Sequence, residues 1–264
     1  MALNNFMFFD INYGEYASIT GTNLSTATSM YAYDNRSDTG LVDFTDVTGE
    51  FIYDFGSNTS IIADTLLLAN HNFSAFSFAV ALTATGTWTT LTAYTGQTVN
   101  TAYYNIGSLT TIYDAKVTFT STQTGTGYFG EFIVTKKKFT IDTNPNIYSP
   151  KLSPMMSGNQ MYTGKQVFSK RADNVFSAEI GWDILQGSNV GLTNTDLNNV
   201  TELIRRNTSF IFWPNGNNFT QYVYTMRPQD IYKCKCVDSV GYEYFSDSID
   251  YMIKAIGYKF VEVV

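Results

Sequence analysis

A mainly β protein is what this sequence predicts: an N-terminal β-sandwich followed by a smaller, β-rich α+β domain. Three observations carry that prediction. Aromatics make up 16% of the 264 residues, with 19 Tyr and 20 Phe, while charged residues reach only 15%. This mixture favours pleated strands and tight turns over helices, which want Ala, Leu, Glu and Lys. Short apolar or alternating runs recur at spacings of about 8–12 residues, between clusters of Gly, Asn, Asp and Thr. Only one segment of the chain has convincing helical spacing.

From Ser29 to about Thr140 the pattern reads as strand throughout, beginning with SMYAYDN. In EFIYDFG (Glu50 to Gly56), Phe51, Tyr53 and Phe55 fall on one face, Ile52 and Asp54 on the other. IIADTLLLAN is a nearly continuous apolar run of strand length, as expected where both faces are covered. FSFAVAL (Phe76 to Leu82) places Phe76, Phe78, Val80 and Leu82 opposite the small Ser77, Ala79 and Ala81. TWTTLTAY, TAYYNI, DAKVTFTST and GYFGEFIVTKKKFTI continue the series.

Asp142 to Pro154 (DTNPNIYSPKLSP) holds three of the five prolines and reads as a linker, because proline fixes its own φ and restricts its predecessor. Charge changes at the same place. Residues 1–146 carry 12 acids and 5 bases, a balance of −7, and residues 147–264 carry 11 of each. The expected domains are therefore 1–146 and 147–264. In the second, VFSKRADNVFSAEIGW reads as two strands around a turn at Ala172-Asp173-Asn174, after a polar stretch MSGNQMYTGKQ. Leu197, Val200, Leu203 and Ile204 then recur at helical spacing, with Asn194 or Thr195 to cap, which predicts one helix over about 195–207. SFIFWPNGNN, QYVYTMR, DIYKCKCV and DYMIKAIGYKFVEV supply further strands.

The net charge of −7 argues against a nucleic-acid binder, which normally shows the reverse. Two cysteines, Cys234 and Cys236, share one face of a strand at the limit of disulfide reach and read as small buried hydrophobes. With a single histidine, no zinc site can be assembled from soft ligands. The N-terminus shows no signal-peptide pattern, and no run is long enough for a membrane span. Low charge and high aromatic content fit burial against neighbouring subunits. They fit thick aromatic cores equally well.

MYAYDNRSD, FIYDFGS, DTLLLANHNFSAFSFAV and GYFGEFIVTKK together resemble the galactose-binding-like, discoidin-type jelly roll in order and spacing. With its second β-rich domain, the whole chain resembles a phage tail or baseplate virion protein. That resemblance implies a jelly-roll front half and a non-enzymatic role in a tail, tail-tip or baseplate ring or adaptor. It implies contacts with copies of itself and with neighbouring tail proteins, and a virion location after assembly in the host cytoplasm. The alternative is a carbohydrate-binding module for host-surface attachment, with a glycan as partner; a glycan hydrolase ranks third.

No catalytic residues or cofactors are expected. Ser-His-Asp catalysis would need His71 as base, and no G-x-S-x-G elbow occurs. His71 in Asn70-His71-Asn72 reads as the corner where a buried strand turns, with a ligand or pH-sensing role as the alternative. GNQMYTGKQ fails as a phosphate loop: five residues separate Gly158 from Gly164-Lys165, and Gln166 replaces the hydroxyl that holds magnesium. Asp34, Asp38, Asp43, Asp46, Glu50 and Asp54 crowd one span and could be a solvated rim, a calcium loop at Asp34 and Asp38, or a catalytic carboxylate pair. Trp88, Tyr94 and Tyr103 are the candidate sugar-stacking aromatics, although Arg36 is the only arginine in that half. Lys136-Lys137-Lys138 reads as a guard on a strand edge or as a contact for an acidic neighbour.

Overall fold

Strand β1 (Phe6–Phe9) is a four-residue run of Phe, Met, Phe and Phe, and all four residues are buried. An apolar run with no polar alternation is what a strand covered on both faces requires. The computed structural model describes residues 6–33, 40–56, 59–141, 147–160, 166–181, 183–185, 194–206, 208–214, 231–237, 241–246, 251–256 and 258–263.

The jelly-roll sandwich uses β2 (Ser18–Thr22), β3 (Val42–Asp43), β4 (Gly49–Asp54), β5 (Ile61–Ala69) and β6 (Phe73–Ala81). It continues with β7 (Trp88–Tyr94), β8 (Thr101–Ile112), β9 (Asp114–Thr122), β10 (Tyr128–Phe129) and β11 (Glu131–Thr135). One sheet has the order β2-β4-β9-β6-β7, and the facing sheet β11-β5-β8, with β10-β3 as a short pair beside them. All pairings are antiparallel. The core between the sheets is aromatic: Phe73 stacks on Phe119 at 4.2 Å, and Phe78 on Phe132 at 5.9 Å. Phe51, Tyr53 and Phe55 face inward as their alternation predicts.

The second large sheet is seven-stranded. Its members are β12 (Lys137–Ile141), β13 (Ile147–Gln160), β14 (Gln166–Gly181), β16 (Phe210–Trp213), β17 (Tyr232–Cys236) and β20 (Tyr258–Glu262), together with β1. Their order is β12-β1-β16-β17-β20-β14-β13. A separate small sheet pairs β15 (Asp183–Leu185), β19 (Tyr251–Ile256) and β18 (Gly241–Ser246). Helix α1 (Asn194–Arg206) buries Val200 and Leu203 against the large sheet. The division at residue 146 does not coincide with the sheet boundary, because β1 and β12 flank the sandwich in sequence and both belong to the seven-stranded sheet.

A third apolar layer joins the two bodies. Leu67, Ala69 and Ile133 point out of the three-stranded sheet and meet Met7, Phe9, Ile211, Trp213 and Ile231. This explains the unbroken apolar run in β5. Leu66 and Leu68 face the sandwich core while Leu67 and Ala69 face the other way.

Several local expectations are corrected. Ser29–Tyr33 is a 3-10 turn and not a strand, because Thr28 ties the segment locally: its N–H and hydroxyl donate to Ser25 O, and its hydroxyl accepts from Asp43 N. Ile147 to Pro154 is strand, not linker. β13 is the sheet's end strand, where proline's missing N–H is tolerated. Ala172-Asp173-Asn174 is no turn, since β14 runs through it and register shifts opposite Ser153 to Met156 absorb the extra residues. Gly158 and Gln166 lie in the paired strands of one hairpin. GYFGEFIVTKKKFTI divides into β10, β11 and β12, and DYMIKAIGYKFVEV into β19 and β20, in different sheets. Leu82 lies beyond the end of β6 and is exposed, not inward-facing. QYVYTMR lies outside the described residues. Among the residues whose side chains are described, Tyr16 is the only fully exposed aromatic, and most of the others pack the cores.

Candidate functional site: the open face of the five-stranded sheet

Strand β7 is the edge of the five-stranded sheet, and its aromatics part company. A register shift in the β6–β7 pairing, between Phe78 and Ala79, lets the two ends of β7 face opposite ways. Tyr94 turns inward, stacks on Phe76 at 4.6 Å and donates its hydroxyl to Tyr103 O at 3.0 Å. Burial pushes its hydroxyl pKa up, with the nearby Tyr104 adding to the rise. Tyr103 points from β8 into the layer between the bodies, 5.6 Å from Trp213 and 6.5 Å from Phe9. Burial raises its pKa as well, helped by the Asp64 charge. Trp88 alone stays on the outer face, half-buried and opposite Ala81. The three candidate stacking aromatics therefore do not form one site.

What the sheet gathers around Trp88 comes from β9 and β4. Lys116 opposes Ala79, and its Nζ sits 4.4 Å from the centre of the Trp88 ring. The same ammonium donates to Glu50 Oε2 at 2.7 Å, and Thr118 Oγ1 donates to that oxygen at 3.1 Å. Small residues at Ser77, Ala79 and Ala81 leave room for these longer side chains to lie across β6. One step along, Asp54 and Asp114 stand directly opposite each other in register. Burial first, then the Asp54 charge and a hydrogen bond to it, hold the Asp114 carboxyl above its ordinary range. An indole with a lysine, a glutamate, a threonine and a carboxyl pair within one patch offers a π surface beside donors and acceptors. That combination suits a ligand with both C–H faces and hydroxyls.

The acidic cluster disperses. Asp34 and Asp38 lie outside the described residues. Asp43 pairs with Tyr128 at a sandwich edge, Asp46 accepts from Val47 N at 2.6 Å, and Asp54 accepts from Gly56 N at 2.7 Å. No group of three or more His, Cys, Asp or Glu is placed to share a metal ion among the described residues. Asp54 and Asp114 stay together, facing each other in the register of β4 and β9. No helix among the described residues is long and apolar enough to cross a membrane. The sequence reading missed Lys116, Thr118 and Asp114, whose alternation along DAKVTFTST marks a half-exposed strand but not its neighbours.

His71 is buried at the β5–β6 corner. Its Nδ1 accepts from Phe73 N at 3.1 Å and its ring packs on Phe73 and Phe76. Desolvation lowers its pKa to about 3. Asn70 takes φ +54°, and Asn72 donates to Thr124 O and Thr126 O while accepting from Tyr128 N. The corner is structural.

No family model matches the chain, and no curated protein matches it. Solved structures with a similar fold exist. Chitosan-binding module 1 of a chitosanase/glucanase from Paenibacillus sp. IK-5 is 17% identical, with a TM-score of 0.41, over 47% of this chain and 97% of that one. Module 2 of that enzyme, in complex with chitotriose, is 16% identical, with a TM-score of 0.39, over 45% and 95%. A carbohydrate-binding module produced by Clostridium perfringens, in complex with GlcNAc-α-1,4-galactose, is 18% identical, with a TM-score of 0.38, over 48% and 94%. At such identities and scores, function has to come from this chain's own side chains.

Proposed function

We propose that this chain is a non-enzymatic carbohydrate-binding protein that holds a glycan on the outer face of its five-stranded sheet. The observation that carries the reading is Trp88, half-exposed beside the Lys116–Glu50 pair. A sugar ring has a C–H face that packs on an aromatic surface and hydroxyls that need fixed partners. Lys116, Glu50, Thr118 and the Asp54–Asp114 pair supply those partners within one patch. A glycan array probed with the full chain tests the proposal. Binding that disappears in Trp88→Ala, with the melting temperature checked separately, supports it. An array without signal, or signal that survives Trp88→Ala, overturns it.

A second reading, assembly with copies of itself as in a ring or collar of a phage tail, is favoured by one feature. β13 and β14 form a hairpin of 14 and 16 residues, and β20 flanks β14 only at Ser177–Ile180. Towards its tip the hairpin carries no third strand among the described residues. A two-stranded ribbon is marginal alone in water and gains stability against a neighbour. Mass photometry across a concentration series tests this reading: rings support it, and a monomer at every concentration overturns it.

A further inference from the structure

Strand β12 ends one side of the seven-stranded sheet, and helix α1 packs beside it. Between them opens a cleft of about 390 Å³. That volume lies in the range of small-molecule sites. One wall is Lys136, Lys137 and Lys138, and their convergence is unusual. Successive side chains of a regular strand point to opposite faces, so three consecutive lysines would diverge. Here Phe8 faces Phe139 and Phe9 faces Lys137, which leaves Lys138 as an extra, bulged residue on β12. All three lysines line the cleft.

The wall is held in place. Asp10 N donates to Lys136 O at 2.8 Å, and Lys137 N donates to Asp64 Oδ1 at 2.8 Å. The Asp10 carboxylate lies 3.2 Å from Lys138 Nζ. Among the described residues neither Lys136 nor Lys137 forms an ion pair, whereas Lys138 is paired with Asp10. Phe139 and Leu203 add apolar surface, and Asn199, Glu202 and Thr208 line the helix side.

We propose that this cleft binds an acidic sugar unit, its oxyanion held by Lys136 and Lys137 and its hydroxyls by Asn199, Glu202 and Thr208. Two unpaired ammoniums select an anion by charge-assisted hydrogen bonds. Glu202 and Asp10 would repel a bare anion, but an acceptor opposite the lysines suits a ligand that also carries hydroxyls. Lysines on an end strand also discourage pairing with another chain, yet that duty requires neither a cleft nor convergence. The site is separate from the Trp88 face and does not rest on the reading given for it.

Isothermal titration of the full chain at low ionic strength tests the inference. The probes are glucuronate, glucose 6-sulfate and glucose 6-phosphate, against glucose and inorganic phosphate. At least one acidic sugar is expected to bind about tenfold or more tightly than glucose and than inorganic phosphate. Which of the three binds tightest distinguishes carboxylate, sulfate and phosphate as the oxyanion. Lys136→Ala/Lys137→Ala, with an unchanged melting temperature, is expected to lose about tenfold in affinity or more. Asn199→Ala is expected to weaken the acidic sugar and leave any residual phosphate binding unchanged. No heat with any acidic sugar, phosphate bound as tightly as the sugars, or affinity that survives the double substitution overturns it.

Discussion

The hydroxyl of Tyr53 lies 2.9 Å from the carbonyl oxygen of Phe132, and the two rings lie parallel at 5.3 Å. Tyr53 belongs to the five-stranded sheet and Phe132 to the three-stranded one, so this contact ties the two sheets together. The same hydroxyl is 2.8 Å from Ala32 O in the 3-10 turn, and its single proton can serve only one carbonyl at a time. Asn12 Nδ2 donates to Phe132 O at 3.1 Å, so that carbonyl has a second donor. Gly14 packs directly against the Tyr53 ring, and a Cβ there would run into it.

Tyr53→Phe is therefore expected to lower unfolding stability by about 1–3 kcal/mol, the cost of leaving a buried carbonyl short of its donor. Gly14→Ala acts on the same ring by displacement and is expected to cost as much or more. Urea unfolding measures both. Midpoints equal to the parent's would show that the tie between the sheets carries no weight.

Leu67 tests the layer between the bodies. Its side chain faces Trp213, Ile211 and Phe9, away from the sandwich core. Leu67→Ala should cost about 2–5 kcal/mol, as for other fully buried leucines. Because the layer is shared, the loss should appear with every probe of unfolding, and the transitions should stay coincident. A sandwich signal that keeps its midpoint while the rest of the chain loses stability would show two independently stable bodies.

How far the sequence foretold these features depends on the range of the signal. Period-two alternation and helical spacing are both local, so the inward set Phe51, Tyr53 and Phe55 and the helix carrying Val200 and Leu203 were legible. The corner at Asn70-His71-Asn72 was legible because its chemistry is also local. Partners across long stretches were not. Nothing in FMFF announces that β1 lies between β12 and β16, and nothing in DAKVTFTST announces that Lys116 reaches both Trp88 and Glu50. Tyr94 and Tyr103 looked like Trp88 in sequence. A register shift in one pairing and a third packed layer decided which ring remained at the surface.

His71 gives a pH prediction with a definite sign. Burial lowers its folded pKa to about 3, from an ordinary value of 6.5. The unfolded chain therefore takes up a proton first as pH falls, and stability is lost between about pH 6.5 and 3, by up to roughly 1.4 kcal/mol per pH unit. Asp114 pulls the other way, because its raised folded pKa favours the protonated folded state as pH falls. Comparison with His71→Asn isolates the histidine, since Asn can still accept from Phe73 N and does not titrate. The parent should lose stability more steeply than the variant across this window; parallel profiles would contradict the assignment.

Lys116 links the stability of the open face to its proposed use. Its ammonium is held by the Trp88 ring at 4.4 Å and by Glu50 at 2.7 Å, with side-chain exposures of 17% and 22% for the lysine and glutamate. Partial desolvation makes both contacts stronger than ordinary surface pairs, so Lys116→Met should cost about 0.5–2 kcal/mol. Methionine keeps most of the stem's cover over Ala79 but removes the charge that fixes Glu50. If the lysine orders the hydroxyl partners of a bound glycan, Lys116→Met should also weaken glycan binding by more than its loss of stability explains. Lys116→Arg, which keeps the charge, should retain most of the binding. A Lys116→Met protein with parental midpoint and parental glycan affinity would remove the lysine from both roles and leave Trp88 to act alone.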